Sequence, residues 1–486
     1  MGSRARAVEI VRRFRRLRAL VVGDVMLDSY LEGTASRLCT EGPVPVVRKL
    51  AEERAPGGAA NVAANLRALG AKVDLVGLVG MDPAAGLLRA ALAERGVPDS
   101  GLVADDRVET LHKLRILADD QYVVRFDEGE TAGAGAAVHA DLATRFEAAF
   151  ERCDVVVVSD YRYGVVSDGL LQRLRVRRAE RPVPLVVDSK DLSRFRGVGA
   201  TVVTPNLLEA RLAVEPGGRL DGQVDLPEGE AIGRRLLAAI GAEQAAITMA
   251  GNGVLLVSRD GAARHISAHP VARANDVGAG DTFTAALALA LGAGAPAARG
   301  VEIGVDAAGI AVSRRRTAVV GHQELLQRAS LRDEGAEAGT TGAGALAQVA
   351  RALEEVRLAG RTVVFTNGVF DILHAGHVRF LRAAKALGDV LVVGVNSDRS
   401  AQALPGERWP INGERDRLAL VAALDAVDHA VLFDEADPAA AIRALRPHVH
   451  AKGGDYADEP LPEAAAVAEV GGRVAILPLA GGPSTD

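Results

Sequence analysis

The run Asn275-Asp276-Val277-Gly278-Ala279-Gly280-Asp281-Thr282 decides how the larger part of the chain is read. Gly278, Ala279 and Gly280 offer nearly bare backbone N–H groups, and Thr282 to Leu291 is an Ala/Leu-rich stretch that reads as a buried helix. A loop handing over to a helix N-terminus forms an anion hole, because unpaired amides and the helix dipole both favour negative charge. Glycine fits there because a side chain would hold phosphate oxygens off the backbone. Asp281 then falls in the first turn, placed to take a proton from an attacking hydroxyl. Taken alone, these residues read equally well as a helix start with a capping Asp, so the surrounding chain has to decide.

At 486 residues the chain exceeds one ordinary core, and two or three domains are expected. With 49% hydrophobic and 25% charged residues it has the composition of a soluble globular protein. A net charge of −6 gives no reason to expect nucleic acid or an anionic membrane as partner. Cys39 and Cys153 are too few for a disulfide framework and lack metal-type spacing, which fits a reducing cytoplasm. Six Lys stand against 51 Arg, so a position that keeps Lys is informative. Arg4 to Arg18 carries an apolar stripe at Val8, Val11, Phe14 and Leu17 that imitates a transit peptide or membrane-surface helix. It runs straight into a strand, so we read a solvated first helix, and no apolar run is long enough to span a bilayer.

Ala19 to Gly23 is a short strand delivering Asp24 and Asp28 at its carboxyl end, where open α/β sheets bind ligands. Pro43 to Val47 reads as an edge strand or lid. Pro56-Gly57-Gly58 reads as a turn opening a helix, with its N–H groups and Asn61 either facing a polyol or simply packing. His112 to Ile116 and Val123 to Asp127 alternate as strands, and Lys113, Arg115 and Arg125 on them suit a sugar phosphate or an ordinary charged surface. From Asp154 onward, strand–helix repeats signal a doubly wound parallel sheet. The strands end in Ser159-Asp160-Tyr161, Asp188-Ser189-Lys190 and Thr204-Pro205-Asn206-Leu207-Leu208-Glu209. Polar residues at every strand end point to a ligand crevice above the sheet.

The set GDVMLD, PGGAANVA, TPNLLE and GAGDT resembles the ribokinase-like sugar kinases over about residues 15–328. The resemblance implies a doubly wound α/β domain with a small β lid, Asp281 as catalytic base and Gly278–Gly280 as anion hole. It also implies that Asn206, Leu207, Leu208 and Glu209 form the motif that organises Mg²⁺ and the ATP phosphates. Asp24, Asp28, Gly57, Gly58, Asn61, Lys113, Arg115 and Arg125 are the substrate-side candidates. The sequence departs from the family's Asp-x-Thr at Asn275-Asp276-Val277, and its T-x-G-x-x-G turn appears as Thr248-Met249-Ala250-Gly251-Asn252-Gly253.

Residues 329–345, acidic and then Gly/Thr/Ala-rich, read as a flexible linker, which makes 1–328 and 346–486 the two domains. In the second, a helix from Leu346 to Leu358 and a strand from Thr362 to Thr366 lead into Asn367-Gly368-Val369-Phe370-Asp371-Ile372-Leu373-His374-Ala375-Gly376-His377. The two His would be core residues, metal ligands lacking a third partner, or donors to phosphate oxygens at a helix start. The string resembles the HxGH nucleotidyltransferases, a Rossmann-like fold. That implies His374 and His377 hold the triphosphate in adenylyl transfer, with Asn367, Gly368, Phe370, Asp371, Asp398 and Lys452 around the nucleotide. No residue is assigned as a direct metal ligand. Arg408-Trp409-Pro410-Ile411 departs from the usual Arg-Pro, and Pro483-Ser484-Thr485-Asp486 ends where relatives open a final helix over the nucleotide. A shortened chain or a weakened second activity is the expectation from that ending.

A sugar kinase ahead of an adenylyltransferase resembles the bifunctional heptose 7-phosphate kinase / heptose 1-phosphate adenylyltransferase family. The resemblance implies small phosphosugar substrates, ATP and Mg²⁺, ADP-heptose as product for lipopolysaccharide core, a cytoplasmic location and a homodimer pairing through the lid. Two other readings stay open: a matched kinase and transferase for another phosphosugar of secondary metabolism, and a kinase whose second domain only binds nucleotide.

Overall fold

The computed structural model describes residues 6–119, 121–131, 133–215, 226–268, 277–314, 319–338, 343–358, 360–402, 410–435, 437–454 and 462–477. Asn275, Asp276, Arg408, Trp409 and Pro483 to Asp486, singled out above, lie outside the described residues. The chain divides into two compact units, Met1–Leu331 and Arg332–Asp486.

The first unit carries β1 (Arg18–Gly23), β2 (Val25–Leu38), β3 (Pro45–Gly58), β4 (Lys72–Val79), β5 (Leu102–Ala104), β6 (His112–Ala118) and β7 (Gln121–Glu128). It continues with β8 (Val155–Asp160), β9 (Leu185–Ser189), β10 (Val202–Val203), β11 (Gln244–Thr248), β12 (Val254–Ser258) and β13 (Ala263–Ile266). Nine of these form one sheet in the order β13-β12-β11-β10-β9-β8-β1-β4-β5. It is parallel from β11 to β5, and β12 and β13 add an antiparallel edge. The near-continuous valines of β8 suit a strand covered on both faces. Val21 and Val157 pack with the helices Ala59–Ala68 and Ala279–Gly292, whereas Leu20, Val22, Val156 and Val158 face the helices Ala136–Phe150, Asp168–Glu180 and Leu226–Ile240. Residues Asp281 to Leu291 are all buried, as a helix apolar on every side must be.

The remaining strands form a second sheet, β3-β2-β6-β7, the small β lid. Its register places Asp28 beside Lys113 and Tyr30 beside Arg115, then Lys113 beside Asp127 and Arg115 beside Arg125. Because side chains alternate across a strand, one face carries these polar residues and the other carries Leu31, Leu114, Ile116, Val124 and Phe126.

Three sequence expectations change here. Pro56 and Gly57 are not a turn but the end of β3, paired with Leu27 and Met26. A Cβ on Gly57 would stand 2.5 Å from Asp28 Oδ2, so glycine serves the strand's close approach. Only Gly58, at φ +56°, turns the chain into the helix Ala59–Ala68. The first helix, Ala7–Arg13, is not merely solvated: Ala7, Ile10, Val11 and the following Phe14 are buried in the core. The stretch read as a tether is helical through Ala338, in His322–Ala338, and again from Ala343, in Ala343–Leu358.

The second unit holds β14 (Val363–Gly368), β15 (Val390–Asn396), β16 (His429–Phe433), β17 (Val449–Gly453) and β18 (Arg473–Leu477), in the order β16-β15-β14-β17-β18. All neighbours are parallel. Phe365 and Val392 face the helices Ala343–Leu358, Ala439–Leu445 and Ala464–Glu469; Val364 and Val393 face Ala375–Lys385 and Glu414–Ala422. No described helix is long and apolar enough to cross a membrane.

Candidate active sites

In the first unit the helix Ala279–Gly292 starts from Gly278, whose φ of +80° favours glycine. Among the described residues, nothing lies within 4 Å of where a Cβ on Gly280 would stand. The protein's own packing therefore does not demand glycine there. One turn in, the Asp281 carboxylate accepts a 2.6 Å hydrogen bond from Asn61 Nδ2. Asn61 is held in turn by Asn65, which donates to its side-chain and main-chain oxygens, and Thr282 donates to Asn65. Two packed helices thus fix the carboxylate. Burial pushes Asp281 up to about 6; the Asn61 hydrogen bond and the Lys190 and Lys113 charges oppose this, and the Asp28 charge adds to it.

Asp281 opens into a cavity of about 170 Å³ lined also by Met26, Asp28, Gly58, Asn61, Lys113, Arg115, Tyr161, Val277 and Gly278. Arg115 donates to Asp28 at 2.6 Å. A larger neighbouring cavity, about 360 Å³, shares Arg115 and Val277 and adds Arg125 with Tyr122, Val123 and Val124. Arg125 is exposed and paired with Asp127 at 2.9 Å. The lid's polar face, the strand ends and the helix start thus meet in one place.

Other candidates have different partners. Asp24 is fully buried and accepts backbone N–H groups from Tyr161, Tyr163 and Val165 at 2.7, 3.1 and 3.3 Å. It therefore ties the end of β1 to the loop after β8, and it does not line the cavity. Asn206 and Glu209 form a reciprocal capping box for the helix Leu207–Val214, Glu209 N–H to Asn206 Oδ1 at 2.8 Å and Asn206 N–H to Glu209 Oε2 at 2.9 Å. Leu207 and Leu208 are that helix's first residues, and Leu208 is exposed.

The structure also gives partners to strand-end residues that the sequence placed at the crevice without a role of their own. Lys190, at the end of β9, pairs with Glu209. Its ammonium and that of Lys113 lie 5.4 and 5.3 Å from the centre of the Tyr161 ring. Burial, then the charges of Asp281 and Glu209, push Asp188 up to about 7. The rarity of lysine in this chain was the available signal for Lys190.

In the second unit β14 ends in Asn367 and Gly368, and Phe370, at φ +55°, turns the chain. His374 is the N-cap of the helix Ala375–Lys385. Its Nδ1 accepts the Gly376 N–H at 3.0 Å, and His377 Nδ1 accepts the His374 N–H at 3.4 Å. With Nδ1 accepting, each neutral ring carries its proton on Nε2 and presents a donor there. The rings are 4.1 Å apart, and Phe370 meets His377 edge-on at 5.5 Å. Asn367 Oδ1 and Thr366 Oγ1 are buried with no hydrogen-bond partner among the described residues.

Asp371 accepts the N–H groups of Ile411 and Asn412, each at 2.8 Å. Asp398 accepts from Arg417 at 2.8 Å. Arg417, which the sequence reading overlooked, is fully buried and also donates to Val369 O and Asn412 O at 2.5 and 3.0 Å. Asp371 and Asp398 thus knot three loops together at the carboxyl edge of the sheet. Lys452 pairs with Glu463 at 2.8 Å. No described group of three or more His, Cys, Asp or Glu could hold a metal ion in either unit.

Comparison with known proteins agrees with this two-unit architecture. The pfkB family of carbohydrate kinases matches residues 17–322, and a cytidylyltransferase-like family matches residues 365–474. The bifunctional protein HldE of Geobacter metallireducens is 38% identical over 97% of this chain and 94% of its own. That of Methylococcus capsulatus is 41% identical over 97% of both chains. Phosphofructokinase-2 from Escherichia coli, at 19% identity and a TM-score of 0.53, covers 65% of this chain and 99% of its own, which shows the first unit's fold. The chain is an enzyme of the bifunctional HldE family, a pfkB-type carbohydrate kinase joined to a nucleotidyltransferase.

Proposed function

We propose that the first unit transfers the γ-phosphoryl of ATP to O1 of D-glycero-β-D-manno-heptose 7-phosphate, and that the second joins heptose 1-phosphate to AMP. The observation that carries the first half is the buried Asp281 carboxylate, held by Asn61 at 2.6 Å beside Asp28, Lys113 and Arg115. The sugar hydroxyl gives its proton to Asp281 as its oxygen forms the new bond to the γ-phosphorus. The old bond to the β-phosphate oxygen breaks, and ADP leaves with that electron pair. The amides of Gly278 to Gly280 receive the charge on the transferring group. The smaller cavity takes the reacting end of the sugar, and Arg115 and Arg125 on the larger one take its 7-phosphate.

In the second unit no base is needed, since the attacking heptose 1-phosphate oxygen is already ionised. It bonds to the α-phosphorus, the α–β bridge breaks, and pyrophosphate leaves. His374 and His377 donate through Nε2 to the phosphate oxygens, and Lys452 offsets their charge. Asn367 and Gly368 line the nucleotide, with Asp371 and Asp398 setting the loops that carry Phe370 and the two His. A phosphatase acting between the two steps removes the 7-phosphate. The product, ADP-heptose, serves lipopolysaccharide core in the cytoplasm.

ATP is the phosphoryl and adenylyl donor. The described residues do not offer Mg²⁺ a protein cage, because Asn206 and Glu209 already bond to each other and Glu209 also pairs with Lys190. Mg²⁺ fits only as an ion carried on the nucleotide's phosphates and water. A homodimer through the lid is supported by Tyr122, Val124 and Phe126, which are 55%, 49% and 56% exposed.

Incubation with Mg-ATP and each sugar phosphate, followed by mass spectrometry, tests the reading. Heptose 7-phosphate is expected to give the 1,7-bisphosphate, and heptose 1-phosphate to give ADP-heptose and pyrophosphate. Turnover of other phosphosugars in preference to these would overturn the substrate assignment.

A further inference from the structure

Lys452 and His450 lie on one face of β17, and both reach Glu463, the residue just before the helix Ala464–Glu469. A single oxygen, Glu463 Oε1, sits 2.8 Å from Lys452 Nζ and 3.4 Å from His450 Nε2. The cluster is deep: His450 is fully buried and Glu463 is 4% exposed. His450 stacks on Phe365, its partner across the β14–β17 ladder. Two residues beyond that pair, the two strands carry Asn367, at the entrance to the His374 loop, and Lys452. Burial lowers the His450 pKa, so the ring is neutral and adds no positive charge. Glu463 is held near 2 by His450 and Lys452 against its burial, so it is ionised at any working pH. The ammonium assigned to the phosphates is therefore already matched by a fixed, buried anion.

We propose that Glu463 is a built-in competitor for the triphosphate: it shares the Lys452 ammonium with the bound nucleotide, weakening ATP binding in the second unit. This rests on the reading of Lys452 as a phosphate ligand. Electrostatics gives the direction. A carboxylate beside the site repels a polyanion, and replacing it by an isosteric amide keeps an acceptor for Lys452 while removing the charge.

The test measures the ATP KM of adenylyl transfer in the full-length chain for Glu463→Gln, Glu463→Ala, Lys452→Met and the Glu463→Gln/Lys452→Met double variant, with thermal unfolding as the check on folding. Glu463→Gln is expected to lower the ATP KM by about three- to tenfold, and that gain is expected to vanish in the Lys452→Met background. Lys452→Met alone is expected to raise the KM. An unchanged KM in Lys452→Met sinks the reading of Lys452 as a ligand, and the competitor with it. A raised KM in Lys452→Met with an unchanged or raised KM in Glu463→Gln leaves Lys452 in place and overturns the competitor alone. A KM raised by Glu463→Ala but unaltered by Glu463→Gln overturns it as well, because Glu463 then only positions the lysine.

Discussion

Two helix starts, Gly278–Asp281 in the first unit and His374–His377 in the second, solve related problems with opposite equipment. The first begins on a glycine at positive φ and carries a buried carboxylate in its first turn. The second begins on an imidazole that accepts its own helix's N–H, followed by another imidazole one turn on. The contrast follows from the nucleophile each reaction presents. A sugar hydroxyl must lose a proton, so its site has a base; a sugar phosphate has lost its proton already, so its site needs no base and offers imidazole donors and a lysine instead. The same logic shapes the surroundings. Burial and neighbouring carboxylates hold Asp281 and Asp188 up at about 6 and 7, whereas Glu463 is drawn down to about 2 by the groups it serves.

The contrast breaks most visibly at the base. Asp281→Asn is expected to lower kinase turnover by roughly 10²–10⁴ with little change in sugar binding and none in adenylyl transfer. Near-normal turnover, measured by coupled ADP release, would remove Asp281 from that role. His374→Ala is expected to lower adenylyl transfer by roughly 10²–10³, read as pyrophosphate release, with kinase rates intact. Arg125→Ala is expected to raise the phosphosugar KM of the kinase about tenfold at constant kcat. Its present partner, Asp127, is exposed, so no buried charge is stranded by the change.

The smallest effect concerns pH. A carboxylate base works only when deprotonated, and Asp281 sits at about 6, above its ordinary range. Kinase kcat/KM is therefore expected to fall as pH drops through about 6, not near 4. Asn61 donates to the ionised form and stabilises it, so Asn61→Ala is expected to move that acid limb upward. A limb that stays put or moves down would show that Asn61 does not tune the base.

What could be read in the sequence was whatever is encoded locally. Gly278, Gly280 and Asp281 announced themselves because a bare loop, a first-turn carboxylate and an apolar helix are adjacent in the chain. The alternation of β6 and β7 gave the polar face of Lys113, Arg115 and Arg125 before any register was known. Less legible was where a carboxylate spends its lone pairs. Asp24, Asp371 and Asp398 stand at strand ends in a ligand-facing pattern, yet their bonds go to N–H groups and an arginine brought in by folding. Asn206-x-x-Glu209 illustrates the same ambiguity, since one spacing serves both a helix cap and a phosphate site. Tyr161 and Lys190 belong to no motif, and only the parallel sheet brings them beside residues far away in sequence; Glu463, also in no motif, meets Lys452 where the chain returns from β17 into the next helix.

The central claim is that the chain holds two separate phosphate-gripping sites, one with a base and one without. Its most direct test supplies Asp281→Asn and His374→Ala, each as the full chain, with Mg-ATP, heptose 7-phosphate and heptose 1-phosphate together, and identifies the products by mass spectrometry. The account predicts ADP-heptose without bisphosphate from the first variant, and bisphosphate without ADP-heptose from the second. Loss of both products in either variant, with unfolding temperature unchanged, would contradict it.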